Sequence, residues 1–165
     1  MNLSGGSGLL TLLAAESELE APAELCARLE EARARIDGSF IIETLDYLHS
    51  GGRCSALSLL GANALRLRPQ IVVEDGTMHV GKKYRGNYKA CVFRFIDDKL
   101  RDIEQYDPER MFITHTITDR QLLQEAKAYC QQRSYFRQII EHPASAGIAC
   151  HCGPNAFGLF FLKKG

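Results

Sequence analysis

Charge of one sign is the first thing this sequence lacks: its 165 residues carry 20 Lys plus Arg against 20 Asp plus Glu. No net field draws it towards nucleic acid or an anionic membrane, and its basic residues form no stripe interleaved with aromatics. Long hydrophobic runs are missing too. The longest, Leu9 to Ala15 and Leu159 to Leu162, are far short of the ~20 residues a transmembrane segment needs. The N-terminus has no positive segment of the kind that opens a secretory signal. CxxC spacing is absent, and a chain long enough to bury an apolar core has no need of disulfide staples. Its six cysteines therefore read as reduced thiols, with a cytoplasmic location expected. There is no internal repeat or low-complexity linker, so the length fits one domain or part of a larger protein.

What is present is a regular alternation of helix and strand signals. Leu9, Leu10, Leu12 and Leu13 read as a short apolar helix. Pro22 opens a second, with Leu25, Leu29, Ala32 and Ile36 at helical spacing and Asp37-Gly38 as its stop. Ser39 to Glu43 reads as a buried strand, Gly51-Gly52 as a turn, and Ala56 to Leu67 as a short apolar helix. Gln70 to Glu74 and Thr77 to Tyr84 flank Asp75-Gly76, a strong hairpin signal. Asn87 is placed to cap a helix that carries Ala90 through Ile103. Met111 to Ile117 reads as a strand, and a helix follows from Thr118 or Asp119 to about Arg133. Phe136 to Glu141, Gly147 to Cys152 and Ala156 to Leu162 read as three closing strands. The expectation is an α/β (α+β) fold, a two-layer mixed sheet of about six strands covered by helices.

Three stretches could carry chemistry. Gly76 to Lys83 approaches a phosphate-binding loop, but Lys83 stands where the magnesium-binding hydroxyl belongs, and a hairpin arm is the expected structure. Cys150-His151-Cys152 could hold a metal or supply a thiol nucleophile. On a strand, the two cysteines would share one face and His151 would point away, so neither one ion nor a Cys–His dyad is easily formed. His115 could supply a base from elsewhere. Core packing is then expected for both thiols, with His151 alone on its face. Arg85, between a strand and the helix opened by Asn87, is placed to meet a carboxylate or phosphate.

Four segments in order add a resemblance. Glu43 to Arg53 (ETLDYLHSGGR) resembles the DTLEYLxxGGR signature of the DegV family of bacterial fatty-acid-binding proteins. Leu65 to Pro69 with Asp75-Gly76 resembles its LxIKPIL…DG segment. Lys83 to Ala90 resembles its KxRxRKKA, and Cys150 to Gly158 its THxGPGALG. Against that pattern, Cys150 stands for a threonine, Asn155 for a glycine and Asn87 for a basic residue.

The resemblance covers the family's C-terminal domain. It implies residues 37–165 as the lipid-binding domain and 1–36 as a helical lead-in from the inter-domain region, with the N-terminal domain absent. It implies a non-enzymatic carrier, without cofactor or metal, that presents a long-chain fatty acid to a partner fatty acid kinase for acyl-phosphate formation. Arg85 and His151 would be the head-group residues, and Leu57, Leu59, Leu60 and Leu65 candidate acyl-chain contacts. An exposed cleft could also drive homo-oligomerisation. Two alternatives stay open: a thiol-dependent enzyme or small metal-binding domain using Cys150 or Cys152, and a structural fragment without activity of its own.

Overall fold

A computed structural model describes residues 4–17, 21–52, 67–74 and 76–165. Its strands are β1 (Ile36–Ile41), β2 (Leu67–Glu74), β3 (Thr77–Arg85), β4 (Tyr106–His115), β5 (Gln138–Pro143) and β6 (Phe157–Lys163). They form one mixed sheet in the order β3-β2-β1-β6-β4-β5. The helices are α1 (Gly5–Ala15), α2 (Pro22–Ala34), α3 (Asp46–Ser50), α4 (Tyr88–Lys99), α5 (Arg120–Gln131) and α6 (Ala146–Cys152). The expected six-stranded mixed sheet covered by helices is thus present. β6 lies near its middle because Phe157 to Leu162 is apolar without interruption, the pattern of a strand buried on both faces. β4 and β5 run parallel, joined through α5 as a parallel pair requires.

Alternation divides the sheet into two faces. Ile41, Met111, Ile113, Phe157, Leu159 and Phe161 pack with α4 and α5 in the main core. On the other face the register aligns Val80, Ile71, Phe40, Gly158, Thr114 and His142 in one row across all six strands. Leu9 of α1 packs on Phe112 and Phe160 there. Leu48 of α3 and Cys152 of α6 join Phe40 and Ile71 in a second cluster. The space between these two groups is where the site forms.

Local signals hold at the hairpin and the helix caps. β2 and β3 pair antiparallel with Glu74 opposite Thr77. Asn87 accepts from the Lys89 backbone N–H at 2.9 Å, and Asp119 accepts from Gln121 and Leu122 at the start of α5. Asn87→Ala is expected to cost about 1 kcal/mol, read as a drop in Tm of roughly 2–4 °C.

Other boundaries move. α2 ends at Ala34, and Ile36 to Gly38 belong to β1, since β6 offers Leu162, Phe161 and Phe160 as their partners. α4 ends at Lys99, with Ile103 in a separate 3-10 turn. Leu67 starts β2, and the rest of the helix expected at Ala56 to Leu67 lies outside the described residues.

The largest correction is at Gly147 to Cys152, expected as a strand and found as α6. Both sides of β6 are taken, by β1 and β4, and β5 is held by β4. The link from β5 passes over β4 to reach β6 instead of adding a strand at the open side of β5. A short apolar run does not distinguish strand from buried helix by periodicity alone. Among the described residues no helix is long and apolar enough to cross a membrane.

Candidate functional site

The helical state of α6 reorders its Cys-His-Cys. Successive side chains on a helix are rotated by ~100°, so the three residues fan out instead of alternating. Cys152 is buried in the cluster with Phe40, Leu48 and Ile71. Cys150 is exposed, its Sγ donating to the Gly147 carbonyl at 3.4 Å. The expected pair of core thiols sharing one face is therefore overturned. Burial pushes the Cys152 thiol up to about 11, so it stays protonated at neutral pH and is a poor nucleophile. Among the described residues no group of three or more His, Cys, Asp or Glu is placed to hold a metal ion.

His151 is set by contacts from far along the chain. A Cβ on Gly51, just after α3, would lie 2.3 Å from His151 Nδ1. The absence of a side chain there lets the imidazole seat against the backbone. Asn155 Nδ2 donates to Glu43 Oε2 at 2.7 Å, and Glu43 lies 3.8 Å from Arg68. The two Gly-containing segments, 43–52 and 150–158, thus meet in space. Asn155 has φ 57°, the left-handed conformation that asparagine tolerates better than most residues. Thr116 fastens this turn from β4's side. Its hydroxyl donates to the Gly153 carbonyl at 2.6 Å and accepts from Ala156 N–H at 2.8 Å. Its backbone N–H donates to the Ala156 carbonyl at 2.9 Å.

A cavity of 320 Å³ opens on this face of the sheet, mostly apolar, walled by Phe40, Leu48, Val73, Met78, Ile148 and Phe160. Its polar border includes Ser4, Thr114, His115, Thr116 and His151. Thr114's hydroxyl is already engaged. His142 Nδ1 lies 3.0 Å from the Pro143 carbonyl, which can only accept, so Nδ1 carries a hydrogen. Its Nε2 is hydrogen-bonded to Thr114 Oγ1 at 3.0 Å. The two other imidazoles differ: His115 Nδ1 and His151 Nδ1 are buried and have no partner among the described residues. A larger hollow of 480 Å³ lies at the other end of β1, bordered by Arg33, Asp37, Glu74, Lys99 and Lys163. Desolvating those charges would oppose any apolar ligand, so the smaller cavity is the better lipid candidate.

The structure does not bring Arg85 and His151 together. Arg85 ends the edge strand β3, is exposed, and is not among the residues bordering the cavity. Register places it at the same end of the sheet as His115, four strands away. Its carbonyl accepts from Arg94, and its guanidinium has no partner among the described residues. Leu57, Leu59, Leu60 and Leu65 lie outside the described residues. The sequence reading missed Thr116 and Glu141, and it took His115 only as a possible base.

Comparisons with known proteins bear on the family and the fold. The model of the DegV family, described as an uncharacterised protein family, matches residues 4–164. A DegV domain-containing protein of Caldanaerobacter subterraneus subsp. tengcongensis is 33% identical over 162 residues, covering 96% of this chain and 57% of the relative. A fatty-acid-binding DegV family protein from Thermus thermophilus superposes with a TM-score of 0.84 at 21% identity, over 98% of this chain and 58% of that one. The fatty acid kinase (Fak) B3 protein of Streptococcus pneumoniae, solved loaded with linoleic acid, gives a TM-score of 0.76 at 16% identity. That match covers 96% of this chain and 55% of the other. The chain thus spans a little over half the length of the relatives it matches.

Proposed function

The chain belongs to the DegV family, and from that premise we propose that it forms one side of a carrier for a long-chain fatty acid. The observation that carries this reading is the mostly apolar cavity with His151 on its polar border. The acyl chain would occupy the apolar part, where each buried methylene is worth ~0.8 kcal/mol. Affinity would come mainly from the tail and orientation from the head group. A volume of 320 Å³ is at the low end for a ligand pocket, as half of a site would be.

In this reading His151 contacts the carboxylate. Arg85, exposed and without a partner at the same end of the sheet, meets the partner fatty acid kinase or the phosphate it transfers. The carrier binds and presents, and the kinase supplies the chemistry. Residues 37–165 form the lipid-binding domain in this reading, and residues 1–36 lead into it.

The test is direct. Mass spectrometry of an organic extract of the purified protein should show a stoichiometric fatty acid. Palmitate should bind His151→Ala roughly 10- to 100-fold more weakly than wild type, because a hydrogen bond to a charged group contributes about 1.5–3 kcal/mol. Equal affinity in the two proteins would remove His151 from the head-group site. No lipid in the extract together with no palmitate binding would reject the carrier.

A further inference from the structure

On the cavity face, β1 and β6 pair so that Phe40 stands opposite Gly158 and Gly38 opposite Phe160, a phenylalanine beside a glycine in two successive rows. A Cβ on Gly38 would lie 2.6 Å from Phe160 Cδ1, and one on Gly158 would lie 3.2 Å from Phe160 Cε2. The Phe160 ring thus rests across both glycines and makes a low apolar floor, the kind of strand position where another group can approach the backbone closely. The floor runs on through Val73 and Met78, which the register places in the row of Gly38 and Phe160. Beyond them the surroundings change. Val73 and Gly76 border both the apolar cavity and the charged hollow, so the two spaces meet at the β2–β3 hairpin. The hollow contributes Arg33, Glu74 and Lys163, all exposed, and Lys99 paired with Asp37 at 2.7 Å. A tail carbon on the cavity side of Val73 exchanges water for apolar neighbours. A carbon past it would displace water from charged groups and give them nothing in return.

We propose that Val73 is a specificity-determining residue, marking where the acyl tail ends, and that the change from apolar to charged surroundings there sets the longest chain the site holds. This rests on the carrier reading, with the head group at the end of the cavity bordered by Thr114, Thr116 and His151. From Thr114 on β4 to Val73 on β2 the path crosses three strand spacings of ~4.8 Å and advances one two-residue step of ~6.7 Å along the strand. The diagonal is about 16 Å, the length of an extended chain of roughly 13 carbons joined by single bonds of ~1.5 Å. Measured from Thr116, one two-residue step further back, it is about 20 Å, or roughly 16 carbons. Carbons beyond that point add length without adding affinity.

Equilibrium dialysis with the saturated acids from decanoate to eicosanoate tests this. Each added methylene should tighten binding roughly fourfold up to a chain between dodecanoate and palmitate, and further methylenes should leave it nearly unchanged. Val73→Phe fills the junction and should move the break to a shorter chain, weakening palmitate roughly tenfold while decanoate keeps its wild-type affinity. Glu74→Leu combined with Lys163→Leu should move the break the other way, tightening stearate roughly tenfold. Both of these positions are exposed, so this variant carries the test if Val73→Phe does not fold by circular dichroism. Affinity that climbs steadily to eicosanoate in the wild-type protein overturns the proposal, as does a break that stays at the same chain length in the variants. Absence of binding across the whole series instead overturns the carrier reading beneath it.

Discussion

Replacing Gly153 by valine is expected to destabilise the protein by about 2–5 kcal/mol and to dislodge His151 from the cavity. Gly153 closes α6 at φ 72°, ψ −176°, a region essentially reserved for glycine and costing other residues about 1–3 kcal/mol. A Cβ there would also lie 2.3 Å from Tyr47 Cδ2 and 2.7 Å from Cγ. Those atoms are near the root of the Tyr47 side chain, so the ring cannot simply swing clear, and overpacking adds about 1–3 kcal/mol. For a chain of this size the loss corresponds to a Tm lower by roughly 5–20 °C. Two further variants separate the causes. Gly153→Ala imposes the backbone strain with a smaller group, and Tyr47→Ala added to Gly153→Val should restore only the steric share. A loss below about 1 kcal/mol in Gly153→Val would mean that the turn holding α6 is not built as described.

Phe161→Ala should cost about 3–5 kcal/mol, the usual range for emptying an aromatic site in a core. Phe161 is fully buried on β6, stacked on Tyr106 with ring centroids 4.3 Å apart and on Phe136 at 5.5 Å. Lys99 Nζ lies 5.8 Å from the ring centre, so the ring also shields the ion pair of Lys99 with Asp37. The loss should be visible in urea as a lower midpoint with an unchanged slope. Because Phe161 faces α4 and α5 and the cavity lies on the opposite face, ligand affinity of the folded variant should stay near wild type. Equal weakening of stability and of palmitate binding would show that the two faces are coupled.

These two sites differ in how far they could be read in advance. Phe161 stands in an unbroken apolar run, and that pattern alone marks a strand with two buried faces. Gly153-Pro154 was legible as a turn, and the left-handed backbone of Asn155 was foreseeable because asparagine replaced a glycine there. The hairpin around Gly76 and the caps at Asn87 and Asp119 were equally plain. The segment before Gly153 was not. Gly147 to Cys152 has too few residues for its period to separate a helix from a strand, and the error propagated to both cysteines. Cys150 was assigned to the core and is exposed, while Cys152 kept its burial but on another element.

The sequence alone determined what is encoded over a turn or two of chain: capping side chains, the two-residue hairpin loop, the amphipathic helices, the uninterrupted β6, and a motif order that identifies the family. Each depends on neighbours close in the chain, so local chemistry suffices. Tertiary structure alone decided which distant groups meet. Gly51 makes room for His151 across 100 positions, Glu43 receives Asn155, and Glu141 takes up His115 through the parallel register of β4 and β5. Whether a buried nitrogen is left without a partner depends on every group packed around it, and those groups come together only when the sheet closes over β6.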